Sequence, residues 1–489
     1  MEITSIMPLI AIIVPIAGAF ILVFVPEKNE NIRNPLALLI SFITAGLVVS
    51  VVQSVMNGNI VSYTLVKILP GLEFSLSVDP LGALFGGLAA ILWVFAVLYS
   101  IGYMSHEHNK RRYFVFYLIS LGVTVGIAFS ANLFTLYLFY EMLTLATYPL
   151  VIHEGNKEAQ AAGVRYMIYS FVGAGMVLFS LLITYGLVET LSFEQGGIMG
   201  ELVASSALIL RIVFITYILG FGVKAAIMPL HSWLPSAMAA PTPVSALLHA
   251  VAVVKSGVFG ILRVMYSIYG TDTMIELSLG VIVLVLVSFT IILASIIAMR
   301  QDVLKRRLAY STISQLGYIS LGAALLTPLG LSGGLIHIIN HALLKIILFF
   351  CAGAIITVTG KKKISELNGI GRRMPITMLA FTIGTIGMIG ILPVNGFISK
   401  WYIMGGSLDA GMPIFILILI SSALLNAAYF IPIITAAFFK KGDFEPVKGV
   451  EAPLTMLLPI VILSVICIVV GIRLELTVPF VESVVTYLF

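Results

Sequence analysis

The sequence of 489 residues has little charge and almost no cysteine. Asp, Glu, Lys and Arg together make up 10% of the chain, hydrophobic residues make up 60%, and the mean hydropathy is +1.12. This composition lies far outside the soluble range and indicates a membrane protein. Only Cys351 and Cys467 are present, far apart and each in an apolar run, which excludes a metal–thiolate cluster and a disulfide framework.

A Gly-rich phosphate loop and a redox-cofactor motif are also missing. Their absence argues against a nucleotide-hydrolysing or electron-transferring chain, so we expect no cofactor and no metal centre here. The net charge of +5 does not indicate nucleic-acid binding, because the basic residues are distributed among short loops. The first apolar run has no basic segment before it and predicts a membrane span, not a cleaved signal peptide.

What the sequence does contain is a series of long apolar stretches. Fourteen of them approach the roughly 20 residues that a helix needs to cross a bilayer, and we number them spans 1 to 14. The sequence therefore predicts an all-α polytopic membrane protein with about 14 transmembrane helices. The spans are residues 3–25, 35–56, 80–103, 113–130, 132–152, 164–188, 205–229, 242–266, 275–299, 308–327, 331–358, 375–405, 412–438 and 453–473.

Basic residues cluster in the connections that follow spans 1, 3, 5, 9, 11 and 13. The opposite side keeps only Lys67, Arg211, Arg263 and Arg473. By the positive-inside rule the basic connections are cytoplasmic, which places both termini outside. The clustered residues are Lys28, Arg33, Lys110, Arg111, Arg112, Lys157, Arg165, Arg300, Lys305, Arg306, Arg307, Lys361, Lys362, Lys363, Arg372, Arg373, Lys440, Lys441 and Lys448.

Four lysines lie inside predicted spans: Lys224, Lys255, Lys345 and Lys400. Glu141 is the one acidic residue well inside a span. In a structural interpretation, the lysines extend to the interface and Glu141 ends a helix. Charged groups at membrane depth are costly, however, and they usually face the bundle interior and carry function. We therefore favour functional roles for these residues.

Span 11 carries a polar stripe. His337, His341 and Lys345 recur at four-residue steps and so lie along one helix face. The two histidines resemble a metal-binding pair, but no third ligand is evident and a lysine continues the stripe. A proton relay is favoured, because a neutral imidazole accepts on one nitrogen and donates from the other. His249 in span 8 fits a relay or a hydrogen-bonded core histidine equally well.

Prolines interrupt spans 7 and 12. Pro229 has no N–H to donate to the carbonyl of Ala225 and its ring clashes there, so the helix must break just beyond Lys224. Pro393 interrupts span 12 in the same way, shortly before Lys400. Broken backbone at membrane depth is tolerated only where it is buried in protein or lines a polar cavity. The two breaks therefore predict an ion pathway.

The two breaks lie five spans apart, each in the fourth span of a set of five. Because five is an odd number, the second set enters the membrane in the opposite sense, which is the inverted-repeat plan of many transporters. The predicted organisation is spans 1–3 in residues 1–112, a first repeat of spans 4–8 in residues 113–270, a second inverted repeat of spans 9–13 in residues 271–440, and span 14 with the tail in residues 441–489.

Four stretches of the sequence have a distinctive pattern: VKAAIMPLHSWLPSAMAAPTPVSALLHAVAVVKSGVFGILR, LKRRLAYSTISQLGYIS, HIINHALLKIILFFCAGA and GILPVNGFISK. These stretches resemble the proton-translocating antiporter-like subunits of respiratory complex I, membrane-bound hydrogenases and Mrp-type sodium/proton antiporters. The match is highly specific and covers at least residues 112–439, and the D-type subunits of Mrp antiporters and their hydrogenase counterparts are most similar. The resemblance implies fourteen helices in two inverted five-helix repeats, discontinuous helices 7 and 12, the prokaryotic cell membrane and other membrane subunits as partners.

The resemblance also implies a central hydrophilic axis that carries protons. Ile398 stands where many members have a tryptophan, which does not affect the titratable groups. The matching axis positions are Glu141, Lys224, Lys255, His249, His337, His341, Lys345 and Lys400.

The sequence thus predicts a proton-translocating subunit of a multisubunit complex. A carboxylate at about 4 Å stabilises a charged lysine by about 4 kcal/mol at an effective dielectric near 20, so Lys224 holds a proton beside Glu141 and releases it when the two separate. The chain has no energy source of its own. Partner subunits must therefore drive it, through a peripheral redox module or a sodium gradient.

Two alternatives remain open. The first is a structural membrane scaffold without ion flux of its own, which an intact set of four intramembrane lysines and a carboxylate disfavours. The second makes sodium a transported ion. Sodium needs several oxygen ligands and a lysine-lined axis offers few, so sodium is assigned to neighbouring subunits. The parent complex can be a hydrogenase, another redox complex or an antiporter.

Overall fold

The computed structural model describes residues 1–442 and 450–489. Within these residues, ten helices are long and apolar enough to cross a membrane. Many apolar side chains point outward from the bundle, with Leu182 61% and Leu424 68% exposed. Exposed apolar surface on this scale fits a lipid environment, so the chain is an integral membrane protein. The count of fourteen spans stays a prediction, and Lys448 lies outside the described residues.

Side-chain caps fix where several helices begin. The Asn132 side chain accepts a hydrogen bond from the amide of Thr135, and Asn156 accepts one from Ala159, both at 2.8 Å. Asn132 therefore separates spans 4 and 5, where the hydropathy pattern leaves the boundary weak. The helices of spans 1 to 6 are Met7–Val23, Glu30–Met56, Pro80–Tyr103, Lys110–Ala128, Leu133–Val151 and Lys157–Val188.

A small sheet departs from the predicted all-α architecture. Strand β1 (Glu2–Thr4) pairs parallel with β2 (Ile60–Leu69), which pairs antiparallel with β3 (Leu72–Val78). The sheet takes up the predicted start of span 1, whose helix begins only at Met7. Gly71 has a φ of +70° and lies at the turn between β2 and β3. The sequence on either side of it alternates and is rich in β-branched residues, which indicates a hairpin that hydropathy alone does not detect.

The predicted interruption of span 7 is confirmed. Its helix ends at Lys224, and the indole of Trp233 donates a 2.7 Å hydrogen bond to the carbonyl of Val223 in the last turn of that helix. The helices of spans 7 and 8 are Val203–Lys224, Trp233–Ser236, Thr242–Ala250, Val253–Arg263 and Gly270–Glu276, with a π-helical turn at Val264–Tyr269.

Span 8 is interrupted too, which corrects the prediction of one helix over residues 242–266. The backbone leaves helical geometry at Val251 (φ −136°, ψ −48°) and Ala252 (φ −87°, ψ −86°). No proline marks this place, but a run of β-branched valines lowers the helix propensity. The interruption separates His249 from Lys255, so that each lies beside a helix end inside the bundle.

The second half of the chain repeats the break. Span 12 divides into Pro375–Ile389 and Gly396–Asp409 around Pro393, as predicted. The peptide bonds before Pro229 and Pro393 are both cis. The remaining long helices are Leu279–Met299, Leu304–Ala324, Pro328–Thr359, Ile414–Phe439, Leu454–Ile472 and Val478–Leu488. Short helical turns are Met104–His106, Gly200–Leu202, Ala237–Ala239, Ile364–Glu366, Ile370–Arg373 and Leu474–Leu476.

The helix Pro328–Thr359 of span 11 lies at the centre of the bundle. It packs against Thr242–Ala250 in the first predicted repeat and against Gly396–Asp409 in the second. Most of its side chains are buried. This helix therefore connects the two broken regions, and its polar stripe lies between them.

Candidate functional site

The structure buries every lysine and histidine that the sequence predicts for the axis. None is more than 5% exposed, whereas the Glu141 side chain keeps 21% of its surface exposed. An interfacial position for these lysines is therefore wrong. The buried residues are Lys224, Lys255, Lys345, Lys400, His249, His337 and His341.

Glu141 and Lys224 form a pair at the end of the span 7 helix. The Lys224 ammonium lies 3.9 Å from Glu141 Oε1 and 3.3 Å from the centroid of the Tyr140 ring, and it donates a hydrogen bond to the Tyr140 carbonyl. The ring face and the carbonyl oxygen both stabilise a cation without neutralising it. The Lys224 ammonium thus has two partners besides the carboxylate, the Tyr140 ring and the Tyr140 carbonyl.

Gly257 brings the helix that carries Lys255 against the helix that carries Lys224. A Cβ at this position would lie 2.7 Å from the carbonyl oxygen of Phe221 and 2.9 Å from the carbonyl carbon of Lys224. The helix that carries Lys255 and Gly257 therefore touches the backbone at the end of the helix that carries Lys224.

Replacing Gly257 by valine is expected to destabilise the chain by about 1–3 kcal/mol or more, because the neighbouring backbone atoms must move. A thermal unfolding measurement on the purified complex checks this. Gly175→Val is the matched control, because no heavy atom lies within 4 Å of a Cβ at that helical glycine. Equal unfolding temperatures for the two variants would contradict the close approach.

The middle of the site is built around His341. Its ring lies 6.1 Å from that of His337, and its electrostatic neighbours are Lys255, Lys345 and His249. The Lys255 ammonium donates a hydrogen bond to the carbonyl of Ile338 on the same central helix. Titratable groups of spans 8 and 11 therefore converge on one imidazole.

Lys345 and His249 are the other two neighbours of His341. The Lys345 ammonium donates to the Leu308 carbonyl at 3.1 Å and contacts the Ser311 hydroxyl. His249 packs its ring 4.8 Å from that of Phe349 and has Lys345 as an electrostatic neighbour. Spans 8, 10 and 11 thus share one buried polar cluster.

Lys400 binds the broken end of its own span. Its ammonium donates 2.8 Å hydrogen bonds to the carbonyls of Met388 and Ile389, the last residues of the half-helix Pro375–Ile389. The C-terminal end of a helix carries partial negative charge, so this position favours a cation. The break therefore supplies the partners that a buried lysine requires.

Uncharged polar side chains join span 11 to the break, and the sequence analysis missed them. Asn340 donates a 2.6 Å hydrogen bond to the Asn395 carbonyl, and the Asn395 amide donates back to Asn340 Oδ1 at 3.0 Å. The His337 Nδ1 lies 2.8 Å from the Ser399 hydroxyl. Asn340 precedes His341 directly and Asn395 follows Pro393, so both lie within motifs that carry the resemblance.

Several polar atoms of the candidate site are buried and have no hydrogen-bond partner among the described residues. They include both ring nitrogens of His249 and of His341, the Nε2 of His337 and one carboxylate oxygen of Glu141. Buried polar atoms in proteins are almost always hydrogen-bonded, to protein or to ordered water. These nitrogens and oxygens are therefore donors and acceptors available to water. The described residues hold no group of three or more metal-ligating side chains.

A buried ion pair was also missed. Arg263, which the charge distribution assigned to the outer side, ends the helix that carries Lys255 and is only 1% exposed. Both terminal nitrogens of its guanidinium contact the Asp79 carboxylate, and one of the two hydrogen bonds is 2.8 Å long. The guanidinium also lies over the rings of Phe193 and Phe259. Removing one partner of such a pair typically costs about 3–5 kcal/mol, which makes it an anchor between spans 3 and 8.

Lys305 is a further buried lysine, although it was predicted to lie in a loop. Its ammonium donates a 2.6 Å hydrogen bond to the Ala240 carbonyl, and it is an electrostatic neighbour of His249. It lines a cavity of about 410 Å³ that also contains Glu107 and Glu154. Burial raises the pKa of Glu107, and the negative charge of the Glu154 carboxylate raises this pKa further. The cavity opens on the side predicted to be cytoplasmic.

Comparison with known proteins identifies the family. Residues 130–425 match the family described as NADH:quinone oxidoreductase/Mrp antiporter, TM, and residues 71–114 match the family of the complex I chain 5 N-terminus. The chain belongs to the NADH:quinone oxidoreductase/Mrp antiporter family. This confirms the resemblance seen in the sequence motifs, while the closer similarity to D-type subunits stays a prediction.

Members of several complexes are similar to this chain. It is 31% identical over 492 residues to NADH-quinone oxidoreductase subunit N of Desulforudis audaxviator, with 96% of both chains covered. It is 34% identical to a Na(+)/H(+) antiporter subunit of Alkalihalophilus pseudofirmus, with 89% of this chain and 56% of the relative covered. Hydrogenase-4 component B of Escherichia coli is 30% identical, with 83% and 64% covered. The latter two relatives are therefore much longer.

Solved structures have the same fold. A chain of the archaeal membrane-bound sulfane sulfur reductase superposes with a TM-score of 0.89 at 24% identity, covering 99% of this chain and 98% of that chain. A chain of the Mrp complex from Dietzia sp. DQ12-45-1b gives a TM-score of 0.87 at 21% identity, with 99% and 97% covered. Both are parts of larger membrane complexes.

Proposed function

We propose that this chain is a proton-translocating subunit of a multisubunit membrane complex. The observation that carries the proposal is the set of titratable side chains buried across the bundle, from the Glu141–Lys224 pair through the His341 cluster to Lys400. Buried ionisable groups inside a membrane bundle characteristically mark proton relays. The family membership and the names of the similar proteins, which include complex I and sodium/proton antiporter subunits, support the same function.

Proton transfer begins at Glu141 and Lys224. When the carboxylate moves away, Lys224 loses its ionic partner while its desolvation remains, so it gives up its proton. The proton passes by way of Lys255 to His341, which lies among donors and acceptors on every side. Water bridges the gaps between these groups, which are too long for direct hydrogen bonds.

Protons that leave the cluster are replaced from the cavity around Lys305. The carboxylates of this cavity attract protons, and Lys305 lines the same cavity and is an electrostatic neighbour of His249. Lys400 releases protons towards the opposite side. In this scheme the two inverted repeats occupy residues 113–270 and 271–440, the basic loops are cytoplasmic and both termini lie outside the prokaryotic cell membrane.

Another membrane subunit covers the break of span 12. Ile391 is 50% and Leu392 is 55% exposed, although they lie in the non-helical backbone between the two half-helices. Irregular backbone does not face lipid at membrane depth, because its polar groups find no partners there. A neighbouring subunit therefore packs here, beside Lys400, and a redox module or a sodium gradient drives the complex through such contacts.

Proton flux in proteoliposomes containing the complex tests the proposal. Lys345→Met keeps the side-chain volume but removes the titratable group, so we expect flux to fall at least tenfold while the subunit composition is unchanged. Unchanged flux with unchanged composition would instead support a structural scaffold. Uptake of radioactive sodium is measured in parallel, and loss of sodium uptake without loss of proton flux would show that the axis carries sodium.

A further inference from the structure

Two arginines flank a pocket on the side of the bundle predicted to be cytoplasmic. The pocket has a volume of about 240 Å³ and lies between Arg165 and Arg306, with the hydroxyls of Ser232, Ser236 and Tyr310 in its wall. A second pocket of about 170 Å³ shares both arginines and Ser236. The two volumes therefore form one basic, hydroxyl-lined depression.

The contacts within this depression leave donors free for a ligand. Arg165 Nη1 donates a 2.6 Å hydrogen bond to the Ser236 hydroxyl. This bond uses only one of the several N–H groups of the guanidinium. Arg306 pairs with Glu158 at 3.2 Å and remains 47% exposed. Two arginines and one glutamate leave a net charge of one positive unit, which complements one singly charged anion.

An apolar groove continues from Arg165 along the helix Lys157–Val188. It has a volume of about 470 Å³ and is lined by Ala161, Val164, Ile168 and Tyr169 besides the arginine. Val164 is 55% and Ile168 is 57% exposed on a face that points away from the bundle. A charged depression and an apolar channel thus meet at one side chain.

We propose that this composite surface is a binding site for one anionic glycerophospholipid. Its phosphate lies between Arg165 and Arg306, and one acyl chain lies in the groove along Ile168. Basic pockets between transmembrane helices on the cytoplasmic side recognise acidic headgroups in this way. A free phosphate would use the arginines but not the groove, and a zwitterionic lipid would bring an extra cation to a site that is already positive.

The site adjoins the broken span 7. Ser232 and Ser236 belong to the segment that follows the break at Pro229, and Ser232 donates a 2.8 Å hydrogen bond to Tyr169, which lines the groove. A bound lipid therefore joins this segment to the helix Lys157–Val188. Lipid binding at this site does not depend on proton transport. A measurement of lipid binding therefore tests the proposal by itself.

Titration of the delipidated complex with acyl-labelled phosphatidylglycerol tests the site. Each arginine contributes about 1 kcal/mol to binding an acidic headgroup, so R165Q/R306Q is expected to weaken binding about 30-fold. R111Q is the matched control, because Arg111 is 45% exposed and also pairs with a glutamate, Glu27, on the same predicted side. We expect R111Q to bind like the parent complex and all three complexes to unfold at the same temperature.

The other arms distinguish the possible occupants. Labelled phosphatidylcholine and phosphatidylethanolamine are expected to bind at least tenfold more weakly, and millimolar inorganic phosphate is expected not to displace phosphatidylglycerol. Equal binding of zwitterionic lipid, displacement by phosphate, or unchanged binding in R165Q/R306Q would each overturn the proposal. Failure of phosphatidylglycerol to bind the parent complex would also overturn it, and would indicate that a neighbouring subunit fills the groove.

Discussion

Changing Glu141 to glutamine or Lys224 to alanine is expected to reduce proton transport by about 100-fold or more, which is the usual loss when a proton-transfer group is removed. Glutamine keeps the size of the side chain but never carries the charge that holds a proton on Lys224, 3.9 Å away. Alanine removes the proton carrier itself. Proton flux in proteoliposomes, normalised to the amount of assembled complex, is the measurement.

A lysine–glutamate pair outside the axis provides the control. Lys67 lies 3.4 Å from Glu73 in the β2–β3 hairpin and is 77% exposed. Lys67→Ala and Glu73→Gln remove the same chemical groups, and we expect them to leave transport within twofold of the parent, since exposed pairs contribute little. If Glu141→Gln or Lys224→Ala retains full transport, the scheme that begins at this pair is refuted.

Replacing Lys400 by arginine is expected to abolish transport while the complex assembles normally. The guanidinium keeps the positive charge and has N–H donors for the carbonyls of Met388 and Ile389 that Lys400 binds, but it does not release a proton at any physiological pH. A cation needed only to bind the half-helix end would tolerate this change. Flux is therefore compared with thermal stability in the same preparations.

Lys400→Ala completes this comparison. It removes both the charge and the proton carrier, so both stability and flux should fall. Full transport with arginine, together with loss of stability with alanine, would identify Lys400 as a structural cation, and the pathway would have to leave the bundle elsewhere.

Local chemistry made the two breaks predictable from the sequence. Pro229 and Pro393 remove backbone donors in runs that are otherwise helical, and the helices end at Lys224 and Ile389 as that chemistry requires. Four-residue spacing likewise placed His337, His341 and Lys345 on one helix face, and the structure buries all three. Such features depend only on neighbours within one or two helical turns.

Features that depend on distant partners were not predictable in this way. Asp79 and Arg263 are 184 residues apart, and neither is unusual within its own segment. The cavity around Lys305 forms only when the connections after five different spans meet, those after spans 3, 5, 7, 9 and 11. The interruption at Val251 has no proline or glycine to mark it, and the lower helix propensity of the valines there does not fix where a helix ends. The hairpin before span 3 has a local signal, which is the alternating, β-branched sequence around Gly71. A hydropathy average over a window of residues does not detect this signal, because the average depends on composition and not on the order of the residues.

The pathway through His341 is tested most directly by a map of the intact complex that resolves ordered water. We expect water molecules within hydrogen-bond distance, about 2.7–3.2 Å, of the unpartnered nitrogens of His249 and His341, and a continuous file of them from Lys255 to Lys400. Dry apolar packing between these side chains, too wide for one water molecule to bridge, would contradict proton conduction along this axis.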